Sequence, residues 1–308
     1  MRNLIPFLLP LLLSVAACSN VKFAERDPKP ECEIGEFSKQ DLVRIKQSEF
    51  KGITSEELNA FALDLLPCVG SPDPEMRDGI VYESLSFLLR NDRLANATKT
   101  ELMTTLLTAL KGPDDKSGYL KPFAALNLSE LARADRIEPY LTEFQRAELV
   151  SAAADYLTKI DDYRGYDDHE GWRHGVAHTA DLALQLVLND KVIEPQIRAL
   201  RHAIATQIAP ESGHGYIHGE SERLARPILF MARRGEIIQE DWDSWFKRLA
   251  DPAPFGAWGD VYKSESGLAK LHNTKAFLNA IYVNTSASQN EQIQMLRAGA
   301  LDALKQLP

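Results

Sequence analysis

Three side chains able to hold a metal or move a proton recur at helical spacing near the middle of the chain: His174, His178 and Asp181, with Gln185 beyond them. On an α-helix these intervals place all of them within a wedge of roughly 60°, so they share one stripe. Two imidazoles one turn apart can bind a divalent metal such as zinc, and Asp181 could supply a third ligand. The pattern is not that of the zincins, which would read His-Glu where this chain has His174-Gly175. The competing reading needs no metal. The histidines would donate to buried carbonyls or to carboxylates of the preceding polar loop, locking residues 161–171 onto the helix, and polar stripes on buried helices are more often satisfied networks of this kind.

A second focus is Gly213-His214-Gly-Tyr216-Ile-His218-Gly-Glu220-Ser-Glu222-Arg223. Its glycines permit a tight loop leading into a helix. Folded over the first stripe, it would create one groove lined by Arg164, Asp167, Asp168, Trp172, His174, His178, Asp181, His218, Glu220, Glu222 and Arg223. In an enzyme, Glu220 or Glu222 would be the candidate general base. Otherwise the segment is simply a helix start, with Ser221 as cap, Glu222 in the first turn and the histidines exposed. Arg164 is either a bidentate clamp for an anionic ligand or the structural partner of Asp167, Asp168 or Asp181.

These residues also carry a resemblance. Arg164-Gly165, then Gly171-Trp172-x-His174-x-x-x-His178-x-x-Asp181, resembles the signature of the DUF2785 family, an uncharacterised bacterial group. Phe123-Ala-Ala-Leu-Asn-Leu-Ser-Glu-Leu131 and Gly219-Glu220-Ser-Glu222-Arg223-Leu-Ala225 agree with it, over roughly residues 75–285. The chain has Lys121-Pro122 where the resemblance would put Arg-Ser. What it implies is an all-helical, repeat-like fold; it supplies no activity.

The elements that must position these side chains read as helices almost throughout. Ser38-x-x-Asp41 and Thr54-x-x-Glu57 are capping-box starts. Helical periodicity fits residues 75–90, 99–110, 117–134, 143–159, 172–188, 193–209, 221–234, 239–249, 266–283 and 289–306, separated by Pro and Gly. Around the polar stripe the 172–188 segment is largely apolar, so it is expected to be buried, Trp172 included. No alternating run is long enough for a central strand. The expected fold is all-α: a right-handed superhelix of antiparallel helix pairs, a HEAT- or armadillo-like α–α solenoid, with a closed α/α toroid as the alternative.

The chain start is set apart. Arg2, the apolar Leu4–Val15 run and Val15-Ala16-Ala17-Cys18 resemble a bacterial lipoprotein signal peptide over residues 1–17, with Cys18 as the lipidated residue. Residues 18–37 read as a tether and 38–308 as a single helical domain. Ser19 instead of Asp after the anchor points to the outer membrane, periplasmic face. Cys32 and Cys68 are then the remaining thiols, and in an oxidising compartment a disulfide between them would stabilise by about 4 kcal/mol.

A net charge of −9 with scattered Lys and Arg excludes an extended basic face for nucleic acid. No P-loop, dinucleotide fingerprint, CxxC or ordered Ser-His-Asp set is present. The expected function is therefore a lipid-anchored, membrane-attached periplasmic protein that binds an envelope protein, envelope polymer or small ligand in the groove around 164–181 and 218–223, without a cofactor. The alternative is a metal-dependent hydrolase acting on an envelope component, with His174, His178 and Asp181 as ligands.

Overall fold

The computed structural model describes residues 34–308. The expected signal peptide, Cys18, Cys32 and most of the expected tether lie outside the described residues. Ile34, near the end of that tether, is already packed in the core at 2% exposure. Cys68 is fully buried and disulfide-bonded.

The all-α expectation holds: 68% of the described residues are helix and 1% strand. The helices are α1 (Lys39–Gln47), α2 (Ser55–Asp64), α3 (Glu83–Arg90), α4 (Asn96–Lys111), α5 (Leu120–Ile137), α6 (Glu143–Lys159) and α7 (Gly175–Val187). They continue as α8 (Glu194–Ile208), α9 (Glu220–Arg234), α10 (Gln239–Leu249), α11 (Glu265–Ala287), the single turn α12 (Glu291–Gln294) and α13 (Leu296–Gln306). Both expected capping boxes form, Ser38 with Asp41 and Thr54 with Glu57, and a third, Thr142 with Gln145, starts α6. Each satisfies two of the amide donors that a helix start leaves orphaned.

Helices of one parity pack together. α5 lies against α7, α7 against α9 and α9 against α11, while α4 packs on α6 and α6 on α8. Buried Asp135 ties neighbouring elements. Its carboxylate accepts from Arg146 Nε at 2.8 Å, from Asn189 at 2.8 Å and from the backbone of Leu141 at 2.9 Å. Buried at 1% exposure, it is viable because every lone pair finds a donor.

Two departures from expectation matter. The helix over 75–90 begins as a π-helical stretch, Glu75–Tyr82, before becoming α3. The helix expected from residue 172 begins only at Gly175, because Tyr166–Asp167 (β1) and Gly171–Trp172 (β2) form a short antiparallel hairpin. His174 follows at φ 54°, in the left-handed region, and cannot continue a right-handed helix backwards. Trp172 is consequently not a buried helix residue but is 37% exposed, whereas Trp242 and Trp245 are core at 0% and 3%.

This reversal sets a stability contrast. Trp242→Ala should cost about 3–5 kcal/mol in a urea titration, as for a fully buried aromatic, and Trp172→Ala less than about 1 kcal/mol. Equal losses would place Trp172 in the core after all.

Candidate functional site

The loop between α6 and α7 is held from below by a stack of charges on an aromatic ring. The Arg77 guanidinium, with no exposed surface, sits 4.0 Å from the centre of the Tyr119 ring and 4.7 Å from that of Phe123. The Arg173 guanidinium lies 4.3 Å from the same Tyr119 ring. All three polar groups converge on Glu170 in the hairpin turn. Arg77 donates to its carbonyl at 2.9 Å, Arg173 to its carboxylate at 2.6 Å, and the Tyr119 hydroxyl to that carboxylate at 3.1 Å. Desolvated cation–π contacts of this type contribute about 2 kcal/mol each. The bonds from Arg173 and Tyr119 hold the Glu170 carboxyl below its usual range. Arg77, Tyr119 and Arg173 thus also lock the loop, a task expected from the sequence of the histidines.

Above the clamp the hairpin pairs Tyr166 with Trp172 across its strands, ring centroids 5.0 Å apart. Asp167 closes the turn by accepting from the backbone of His169 and Glu170 at 2.8 and 2.9 Å, and Asp168 is exposed at the tip. The chain then doubles back on residues 164–165, with Arg173 N–H donating to the Gly165 carbonyl at 2.9 Å and His174 N–H to the Arg164 carbonyl at 3.2 Å. Gly165 is needed here, since a Cβ would meet the His218 ring at 2.1 Å. Arg164 itself pairs with Asp162 at 2.5 Å, not with Asp167, Asp168 or Asp181 as expected.

The two polar foci do converge. Oε1 of Glu220, which is 3% exposed, lies 3.7 Å from His174 Nε2 and 3.7 Å from His218 Nδ1. Its Oε2 accepts from the His218 backbone at 2.9 Å. His174 stacks on Trp172 at 4.7 Å, and His218 meets Trp172 edge-on at 5.5 Å. His174 Nε2, His178 Nδ1 and His218 Nδ1 are buried without a hydrogen-bond partner. Burial pushes His174 below its usual range, against the opposing pull of Glu220. Burial drives His178 down to about 3, with the neighbouring charges of His174 and Arg223 adding to it. Its ring packs edge-on against Phe123 at 5.1 Å.

Asp181 leaves the stripe's shared task, because its carboxylate is engaged by Arg223 from α9. Burial still raises its carboxyl above the ordinary range, with Arg223 opposing. Gln185 accepts from Arg136 at 3.3 Å. Three ligands are therefore not assembled at His174, His178 and Asp181. Among the described residues no group of three or more His, Cys, Asp or Glu side chains is arranged to hold a metal.

Beside the cluster an open cleft of 1020 Å³ runs between the start of α9 and one face of α11. His218, Glu220, Ser221, Glu222, Arg223 and Arg226 line one side, and His272, Asn279, Val283 and Asn284 the other. Ser221 is 5% exposed and its hydroxyl lacks a partner, so it is not the helix cap expected of it; Gly219, at φ 83°, holds that position. A second cavity, of 490 Å³, lies on the far side of the loop against Asp155, Tyr156, Asp161 and Arg164 and includes none of the three histidines.

A family model described as "Protein of unknown function (DUF2785)" matches residues 106–283. The chain belongs to the DUF2785 family. The matched segment contains both foci, Tyr119, the hairpin and most of the cleft; Arg77 lies ahead of it, and the match begins later than the expected residue 75. No curated protein and no solved structure matches the chain. Within the DUF2785 segment, sequence reasoning found the histidines, Asp181, Glu220 and Arg223 but missed Tyr119 and Arg173. The available signal was Gly171 beside Trp172, a glycine that takes φ 75° and marks a turn.

The buried imidazole of His178 makes stability depend on pH. Unfolded, it takes up a proton near pH 6.5; folded, it does so only at about 3. Between these values the unfolded state binds more protons, so the contribution is complete above pH 6.5 and is lost as pH falls, by at most about 1.4 kcal/mol per pH unit. Denaturant titrations at pH 7.5, 6 and 5 should show His178→Leu losing less stability than wild type over that range. Parallel losses would show that His178 is not held neutral.

Proposed function

We propose that this DUF2785 protein is a binding protein of the cell envelope, anchored through lipid on Cys18 at the periplasmic face of the outer membrane. It is built as a HEAT- or armadillo-like α–α solenoid and holds an envelope protein, envelope polymer or small ligand on the face that joins the hairpin to the α9–α11 cleft. Support for the solenoid comes from the succession in which α5, α7, α9 and α11 pack in order, as do α4, α6 and α8. Such arrays present extended faces for binding.

The observation that carries the binding reading is continuity. Tyr166 and Trp172, 52% and 37% exposed, lead through His218 into the 1020 Å³ cleft. Of eleven large hydrophobics exposed among the described residues, four (Tyr166, Trp172, Ile217 and Val283) border this face. Aromatics rigidly presented beside a cleft lose little entropy on binding, which is how interface anchors behave. No specific contact favours the metal-dependent hydrolase over it.

Two experiments test this reading. Wild-type protein should fractionate with outer membranes and Cys18→Ala should be released; wild type recovered as a soluble periplasmic protein removes the anchor. In crosslinking within intact cells, a photoreactive residue at Ile217 should capture an envelope component that one at Phe144, exposed elsewhere, does not. Equal capture at both positions would remove the binding face. A zinc-dependent rise in melting temperature abolished by His178→Ala would instead favour the hydrolase.

A further inference from the structure

From the chemistry of that same face we infer that its ligand is a neutral saccharide chain, with one ring stacked on the Tyr166–Trp172 pair and its hydroxyls bonded in the cleft. The inference rests on the binding face just proposed and names its occupant.

A sugar ring has an apolar C–H face and a rim of groups that both donate and accept. The site offers the complement of each. For the face, Tyr166 and Trp172 are exposed yet fixed, since the hairpin is bolted to buried Arg77 and to Tyr119 through Glu170, and His174 backs the indole at 4.7 Å. An aromatic held in this way offers contact area without having to be ordered on binding. For the rim, the side chains of Glu222, Arg226, His272 and Asn279 border the cleft and make no hydrogen bond or ion pair. Ser221, 5% exposed as a residue, adds a buried and unpartnered hydroxyl within the same wall. Between them they present donors and acceptors side by side, which suits vicinal hydroxyls.

Charge argues against other occupants. Two carboxylates, Glu220 and Glu222, and two guanidinium groups, Arg223 and Arg226, line the cleft, so its formal charge from acidic and basic side chains is zero with the histidines neutral. A polyanion or a basic peptide would find no complementary field. An acyl chain or an amphipathic helix would need a continuous apolar strip, and Ile217 and Val283 stand among polar neighbours.

The test uses the full chain purified in mild detergent, titrated with β-1,4-linked N-acetylglucosamine, maltose-series and cellulose-series hexasaccharides and, in parallel, with a set of uncharged, acidic and basic hexapeptides. Binding is followed by calorimetry and by indole fluorescence. At least one hexasaccharide should bind, Trp172→Ala should weaken it about tenfold or more, Trp172→Phe by less than about threefold, and Arg226→Ala measurably, all with unchanged circular dichroism. Absence of saccharide binding, or binding indifferent to Trp172→Ala, overturns the proposal. Trp172-dependent binding of a peptide alone overturns the saccharide while leaving the binding face standing, and the crosslinking comparison decides the face independently.

Discussion

Two guanidinium groups against one phenol ring determine how the middle of this protein is arranged. Arg77 and Arg173 both lie within 4.3 Å of the Tyr119 ring centre, and all three reach Glu170. Exposed loops rarely keep a single conformation, because their backbone groups prefer water. Here the hairpin turn exchanges water for two fixed cations and a hydroxyl. Everything above it follows: the Tyr166–Trp172 pair, the reversal onto Gly165, the left-handed His174 and the start of α7.

The His174–Glu220–His218 cluster illustrates a different constraint. Two imidazole nitrogens stand 3.7 Å from one buried carboxylate oxygen, beyond good hydrogen-bond length, and both are otherwise unpartnered. Native interiors seldom leave such groups without a protein or water partner. The cluster adjoins the cleft through His218, whose side chain is 23% exposed.

Much of the fold was legible because helix periodicity and punctuation are local signals. Capping boxes at Ser38 and Thr54 and breakers such as Gly235, which takes φ 72° after α9, fix element ends from a few residues. The candidate site was legible in part. His174, His178, Asp181, Glu220 and Arg223 stood out by type and spacing, and they meet as separate contacts, His174 with Glu220 and Asp181 with Arg223. What stayed hidden was long-range. Arg77 meets Glu170 across 93 positions, and nothing near either residue announces the other. Trp172 was misplaced because its neighbours continue a helical pattern that the backbone breaks; only the glycine beside it and the left-handed His174 record the break. Arg164 found Asp162, two residues away, instead of the more distant carboxylates that its chemistry equally allowed.

The position of Arg77 also bears on what counts as a unit of inheritance in this family. The segment that identifies the family opens at residue 106, partway along α4, yet the cation beneath its most characteristic loop comes from the π-helical stretch before α3. A fragment begun at the family boundary would keep Arg173 and Tyr119 on the Glu170 carboxylate but lose the Arg77 bond to the Glu170 carbonyl and the second cation on the Tyr119 ring.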